Sequence, residues 1–328
     1  MIGYTGWRIP EGNVVQVAKD GIVLWQLLSA TNEPTVVLDI AKKTLDTYDG
    51  GTTYEGEEFV LLDIYPKKGG TVTVTYGGLT KTITDTSGAE EPNAQKVFFG
   101  TFNGVSDTTP TPSSGRLTIE GAYRGFGAGT WSNAKSLITQ CACITGCIDI
   151  GNPVYIGRYT FYNCESLTLT TLPEGLTYIG NYAFYGCTNL ALTSLPNGIT
   201  EIGDDAFFNC SSLTLTSLPN ALTRIGQFAF KGTNIRNITV PESVTYLGLR
   251  CLQCHVTNET TGYHDTNIKM LGTVPPTMVN TESSAYADSG AFGRNEFFDG
   301  TITVPRGYGE AYKNAEVWSN YANKIVEG

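Results

Sequence analysis

Three consecutive segments of the chain repeat at a fixed interval. They read IGRYTFYNCESLTLTTLPEGLTY from Ile156, IGNYAFYGCTNLALTSLPNGITE from Ile179 and IGDDAFFNCSSLTLTSLPNALTR from Ile202, each start 23 residues after the last. A fourth, IGQFAFKGTNIRNITVPESVTY, starts at Ile225 and runs 22 residues to Leu247. Aligned on their starts, the units keep columns: Ile156/Ile179/Ile202/Ile225, Phe161/Phe184/Phe207/Phe230, and Cys164/Cys187/Cys210 closed by Thr233. Apolar columns also run through Leu167/Leu190/Leu213/Ile235, Leu172/Leu195/Leu218/Val240 and Leu176/Ile199/Leu222/Val244. One such unit has an apolar edge too small to bury alone. Stacking neighbours about 4.8 Å apart joins those edges into a continuous core and requires like residues to lie above one another.

Within a unit, Leu213–Thr216 alternates at period two and is expected as a strand with leucine inward and threonine outward. The Leu-Pro that follows ends pairing, because proline has no N–H to give a ladder. Ile-Gly is expected to turn a tight corner with glycine at positive φ. Asp204–Asn209 is expected as a short helical or irregular turn inserting Ala206 and Phe207. Beyond Gly248 the pattern blurs but persists. Cys251 and Leu252 fall in the Ala and Phe columns, His255–Asn267 reads as an inserted loop, Ala291-Phe292 resembles the Ala-Phe element, and Ile302–Pro305 copies Ile238–Pro241. Ala311, Ala315, Trp318, Ala322 and Ile325 then fall on one face of an expected closing helix.

The pattern AF-x-x-C-x-x-L…LP-x-x-[LI]-T-x-IG resembles the BspA-like (treponemal-type) leucine-rich repeat of bacterial, phage-encoded and some protist proteins. The match is clearest over Ile156–Gly248 and weaker on either side. The resemblance implies a right-handed β-solenoid, usually on a cell surface and used for adhesion or protein binding, with no catalytic residues to carry over.

The expected fold class is mainly β: a leucine-rich-repeat solenoid of period 23 over residues 121–305, clearest over 156–248, preceded by a small immunoglobulin-like β-domain and closed by a capping helix over 306–328. Glu57–Tyr65, Thr71–Tyr76, Leu79–Thr84, Val97–Phe102 and Leu117–Ile119 are short β-runs separated by glycine-rich turns, which suggests a small sandwich over 34–106. The Cys–Trp–Cys core of true immunoglobulin domains is absent. Asp107–Gly115 reads as a linker, with 107–120 leading into the repeats, and residues 1–33 as a leader whose Val14–Trp25 forms a hairpin. That leader resembles short segments of phage structural proteins. Gly21–Leu28 reads as a turn and strand rather than an export signal, and no stretch approaches 18 uncharged apolar residues.

A net charge of −10 argues against nucleic-acid partners and anionic membranes, and two histidines leave little room for acid–base chemistry. Cys251-Leu252-Gln253-Cys254-His255 matches a haem-attachment string, but the repeat register explains Cys251 as a small buried residue. Cys141, Cys143 and Cys147 lie about five turns, roughly 24 Å, from Cys251 and Cys254, too far to share a zinc ion. The Cys164 column reads as buried free thiols; a Cys141–Cys147 or Cys251–Cys254 bridge stays open. Glu201, Asp204 and Asp205 read as a solvated corner, with weak calcium binding the other possibility. No cofactor, metal or catalytic residue is expected.

Two faces are candidates for binding. One is the threonine face, Thr168, Thr170, Thr193, Thr214 and Thr216. The other is a corner strip of Tyr159, Tyr162, Tyr178, Tyr182, Tyr185, Phe208 and Phe228, whose exposed aromatics are typical of recognition surfaces. The expected function is non-enzymatic: a surface adhesin or interaction module meeting a protein or glycan on another cell or particle, at the cell surface or outside it. The alternative is a phage or prophage virion appendage. Membrane insertion is not expected.

Overall fold

The computed structural model describes residues 17–19, 22–24, 35–41, 43–44, 48–49, 52–53, 58–89, 93–102, 105–106, 114–128, 131–133, 136–138, 144–254, 266–279, 289–294 and 298–328. The defining contacts lie in the repeats. Tyr155–Ile156, Tyr178–Ile179, Glu201–Ile202, Arg224–Ile225, Tyr246–Leu247 and Thr277–Met278 are two-residue strands that pair in parallel, each with the next. Their register sets Ile156, Ile179, Ile202, Ile225, Leu247 and Met278 one above another. The expected isoleucine column is therefore a physical row. Phe126, Phe161, Phe184, Phe207 and Phe230 stand beside it, with successive centroids 6.2, 5.3, 5.2 and 5.4 Å apart.

The short strand sits on Glu201–Ile202, where a corner was expected, and Leu213–Thr216 forms no strand. Leucine–threonine alternation sorts side chains in and out, but it does not by itself bring backbone groups of neighbouring units into a ladder. Pairing on that side begins with the bridge Ser217↔Thr239, where the repeat shortens to 22 residues. It continues through the parallel strands Asn237–Val240, Asn267–Met270, Ile302–Val304 and Ile325–Glu327. Asn267 thus belongs to a strand rather than to an inserted loop; residues 255–265, including both histidines, lie outside the described residues.

The glycine of each Ile-Gly pair does not adopt positive φ; close approach dictates it instead. A Cβ on Gly203 would lie 2.6 Å from the Asn181 nitrogen and 2.7 Å from the Gly180 carbonyl carbon. A Cβ on Gly226 would lie 2.5 Å from the Gly203 carbonyl carbon. Any side chain here would force the units apart.

Asp204–Asn209 is neither helix nor strand, for a reason visible in its hydrogen bonds. Alternate amides bond locally: Ala206 to the Gly203 carbonyl and Phe208 to that of Asp205, at 3.4 and 3.2 Å. Those on Asp205, Phe207 and Asn209 donate to Gln227, Ala229 and Lys231 of the next unit at 2.7–2.8 Å. Two donors wind the turn, three join it to the next unit, and the sixth, on Asp204, donates to the Asn181 Oδ1 of the preceding unit at 3.1 Å, so no amide of the segment is orphaned.

The amino-terminal region shares this framework. Glu58–Pro66 pairs with Gln95–Phe102 and with Tyr123–Ala128, and Tyr123–Ala128 then pairs in parallel with Tyr155–Ile156. One sheet therefore runs from the first β-runs into the repeats. A second, five-stranded sheet has the order Ile144–Asp149, Val36–Ala41, Ser114–Gly121, Thr71–Tyr76, Leu79–Thr84. Val36, Leu38, Val72, Val74, Leu117 and Ile119 from it join Leu62, Ile64, Phe99 and Phe126 in one core. Ser114 and Gly115, expected in a linker, already pair with Ala41 and Ile40; residues 107–113 lie outside the described residues. Residues 121–128 and 144–149, expected within the repeats, complete these two sheets because their partners are Glu58–Pro66 and Val36–Ala41. The Val14–Trp25 hairpin is described as Val17–Lys19 paired with Ile22–Leu24.

At the other end the expected single helix is broken. An α-helix covers Gly309–Asn314, Ala315 is extended, Val317 has φ 65°, and Trp318–Lys324 is 3-10. Period 3.6 therefore fails across Ala315. Trp318 is buried and Ala315 packs on the core as expected, but Tyr312 and Tyr321 take the places expected for Ala311 and Ala322, with Tyr312 and Trp318 bonded to the Gly272 and Pro276 carbonyls at 2.8 and 2.7 Å. Ile325 leaves the helix to pair with Ile302.

The cysteine column is buried and reduced. The Cys187 and Cys210 thiols donate to the Phe161 and Phe184 carbonyls of the preceding unit at 2.9 and 3.0 Å. Cys251 and Cys254 are also free, so no bridge joins them; Cys141 and Cys143 lie outside the described residues. Burial raises the Cys164 thiol to about 11 and Cys254 to about 12, and lifts Cys187, Cys210 and Cys251 as well. An aromatic disulfide reagent at pH 8, read by peptide mapping, is expected to leave these five unmodified in the folded protein and to label all five in denaturant. Labelling of Cys210 in the native state would contradict its burial.

Candidate binding surface

The wound segment turns twice through left-handed backbone in each unit. Tyr159, Tyr182, Asp205, Phe228 and Arg250 occupy the first such position, with φ between 50° and 58°. Asn163, Gly186, Asn209 and Gly232 occupy the second. Asparagine and glycine tolerate this region; a tyrosine, phenylalanine or arginine costs about 1–2 kcal/mol there. The chain holds large side chains in the first column against that cost.

Two of those side chains build one stack, and three rings between the two left-handed positions build another beside it. Tyr159 and Tyr182 lie 4.8 Å apart at 11°. Tyr162, Tyr185 and Phe208 form the second stack, both steps 4.8 Å, tilted by 14° and 2°. An edge contact of 5.7 Å at Tyr159–Tyr162 and a tilted one of 6.0 Å at Tyr182–Tyr185 join the stacks. Cations close the ends: Arg158 lies 5.4 Å from the Tyr159 ring, and Lys231 lies 5.4 and 5.6 Å from Phe208 and Phe228. Tyr159 is buried at 6% exposure, so it shields backbone; Tyr162, Tyr182, Tyr185, Phe208 and Phe228 are half-buried.

Asp205 takes the place of a ring in the first column. It is 8% exposed and accepts the Tyr182 hydroxyl. Burial lifts its carboxyl to about 6; the Tyr182 bond and Lys231 lower it, and Asp204 raises it. Burial and the neighbouring Asp205 in turn raise the Tyr182 hydroxyl to about 12. Because the folded pKa lies above that of the unfolded chain, the ionised carboxyl disfavours folding. That penalty is absent below pH 4, grows between pH 4 and 6, and is complete above 6. Asp205→Asn keeps an acceptor for Tyr182 and suits left-handed backbone. It is expected to stabilise the fold by about 1–2 kcal/mol at pH 7.5 and by little at pH 4, measured by urea denaturation at both pH values. A destabilised variant at pH 7.5 would show that the ionised carboxylate is needed.

Tyr178 does not join this strip. It precedes the strand isoleucine and stacks on Tyr155 at 4.5 Å, which meets Tyr65 at 4.7 Å. The same column continues through Glu201 and Arg224, an ion pair at 3.2 Å, to Tyr246, 4.0 Å from the Arg224 guanidinium. The sequence corner Glu201/Asp204/Asp205 is thereby divided among three tasks: Glu201 pairs with Arg224, Asp204 accepts the Gln227 amide at 2.8 Å, and Asp205 accepts Tyr182. Among the described residues, no three His, Cys, Asp or Glu side chains gather as a metal site.

Thr168, Thr170, Thr193, Thr214 and Thr216 are exposed, and Leu167, Leu192, Leu213 and Leu215 beside them are buried. A different threonine column does structural work. Thr177, Thr200, Thr223 and Thr245 each donate a hydroxyl to a carbonyl one unit back, at 3.0–3.3 Å. Sequence reasoning missed Arg158, Asp205, Lys231 and Arg250 as members of the strip. Lys231 was visible one period after Phe208, and Asp205 one period after Tyr182.

Residues 139–260 match the family model for the BspA type leucine rich repeat region, in 6 copies. No curated protein matches the chain. Among solved structures it is similar to a T. pallidum leucine rich repeat protein, at 30% identity over 36% of this chain and 52% of that one, with TM-score 0.30. A leucine-rich repeat protein from Bacteroides ovatus is 26% identical over 40% of this chain and 37% of its own, TM-score 0.31. A leucine rich cell surface protein from Faecalibacterium prausnitzii is 19% identical over 49% and 56% of the two chains, TM-score 0.25. The chain thus spans 37–56% of the length of these proteins. Residues 139–260 of the chain are a BspA-type leucine-rich-repeat region.

Proposed function

We propose that the chain is a non-enzymatic binding protein: a right-handed leucine-rich-repeat solenoid, preceded by an immunoglobulin-like sandwich and capped by the Gly309–Lys324 segment, which presents its aromatic strip to a partner outside the cell. The observation that carries this reading is the left-handed column. Holding Tyr182 and Phe228 at positive φ, where glycine is cheaper, keeps half-exposed rings on either side of Asp205 and beside the Tyr162/Tyr185/Phe208 stack. Strained non-glycine residues gather where a surface has work beyond folding, and half-exposed aromatics are typical anchors of recognition. The threonine face offers only short hydroxyls between inward leucines, and the alternation that buries those leucines accounts for it. The description of one similar protein as a leucine rich cell surface protein agrees with a place at the surface. Among the described residues no helix is long and apolar enough to cross a membrane.

The test is a combined protein and glycan array probed with wild type and with Tyr182→Ala/Tyr185→Ala, the fold of each checked by circular dichroism. Loss of the wild-type signals in a folded double variant is the expected result. Signals that survive would move the site off the strip, with the threonine face the next surface to mutate.

A further inference from the structure

The planes of the rings in this strip discriminate between ligand classes. Tyr185 is covered on both faces, by Tyr162 and Phe208 at 4.8 Å each. Phe208 has Tyr185 on one side and Lys231 on the other, and Tyr159 lies between Arg158 and Tyr182. Sugars pack their C–H groups on open aromatic faces, and these faces are already used inside the protein. With both faces taken, half-exposed Tyr185 and Phe208 are left their edges to meet solvent, the electropositive part of the aromatic quadrupole, which attracts oxygen acceptors.

Charge points the same way. Of the two carboxylates at the strip, Asp204 accepts the Gln227 amide and Asp205 is buried beneath the Tyr182 hydroxyl. Lys231 and Arg158 stand at its opposite ends. Three steps of about 4.8 Å separate those ends, roughly 14 Å, which four or five residues of extended polypeptide span.

We infer that the strip takes an acidic polypeptide segment in extended conformation, meeting carboxylates with Lys231 and Arg158 at the ends and with ring edges between, and that it does not take carbohydrate. The inference rests on the strip being the binding surface.

Fluorescence anisotropy with four labelled probes tests it on the full chain: a glutamate-rich dodecapeptide containing tyrosine, the same peptide with glutamine for glutamate, cellohexaose, and a heparin hexasaccharide. The glutamate peptide is expected to bind, the glutamine peptide at least about tenfold more weakly, and neither oligosaccharide. Lys231→Gln is expected to weaken the glutamate peptide about tenfold or more while the circular dichroism stays that of the wild type; Arg158→Gln, at the other end of the strip, gives a second reading of the same loss. Equal binding of the two peptides, binding of either oligosaccharide, or no binding of the glutamate peptide at millimolar protein would overturn the inference. The Tyr182→Ala/Tyr185→Ala variant separates its failure from that of the functional reading. Oligosaccharide binding lost in that variant overturns the ligand class while the strip stands. Glutamate-peptide binding unchanged in it removes the strip.

Discussion

Phe207→Ala is expected to destabilise the protein by about 3–5 kcal/mol, the range for a large aromatic removed from a closely packed core. Phe207 has no exposed surface and lies between Phe184 and Phe230 at 5.2 and 5.4 Å. Its environment cannot collapse to fill the gap. The rings above and below are fixed by amide bonds at both ends of each wound segment, with Phe207 donating to Ala229 and Phe184 to Ala206. Denaturant unfolding followed by circular dichroism measures the loss. A value below about 1 kcal/mol would place Phe207 outside the core.

Gly203→Ala should be comparably damaging, although it adds only a methyl. That carbon would lie 2.6–2.7 Å from backbone atoms of Asn181 and Gly180, and backbone has no rotamer through which to yield. The units must separate, which strains the bond from the Gly203 amide to the Ile179 carbonyl, now 2.8 Å. A loss of about 2–4 kcal/mol is expected. Gly198→Ala is the control: its Cβ would meet nothing nearer than the Leu176 carbonyl oxygen at 3.4 Å. It should be neutral or stabilising by up to about 1 kcal/mol. Equal effects at the two positions, read from urea midpoints, would contradict the close approach of units at the Ile-Gly pairs.

These two positions also mark how far the sequence was legible. The Ile202 and Phe207 columns could be read because burial in a stack demands the same apolar residue at each level. Gly203 was equally visible, but its cause was not. Sequence shows that a side chain is forbidden without saying whether the obstacle is the residue's own dihedral angle or a neighbouring strand 23 positions away. Leu213–Thr216 misled for a related reason, since alternation reports which way side chains point and not whether amides find partners. The closing segment failed at Ala315, where one extended residue resets the helical phase and exchanges Ala311 and Ala322 for Tyr312 and Tyr321 on the buried side, while Trp318 and Ile325 are buried as expected.

The binding strip was legible in composition and not in arrangement. Tyr162, Tyr182, Tyr185 and Phe208 were picked out as aromatics near a corner, and they do come together. Tyr178 sits only four residues from Tyr182 but belongs to the column of the short strands, because the intervening Ile179 points into the core. Asp205 was read as a solvated carboxylate beside Asp204. Left-handed backbone turns it beneath Tyr182 instead, and no local pattern in Gly203–Phe207 announces that geometry.

The central claim is that each unit bonds to the unit 23 residues before it. Trans-hydrogen-bond couplings in the deuterated, isotope-labelled protein test it bond by bond. The account predicts couplings from the amide nitrogens of Gly180, Gly203, Gly226 and Gly248 to the carbonyl carbons of Ile156, Ile179, Ile202 and Ile225. Couplings from these four amides to carbonyls within their own unit, or none from them to the unit before, would contradict it.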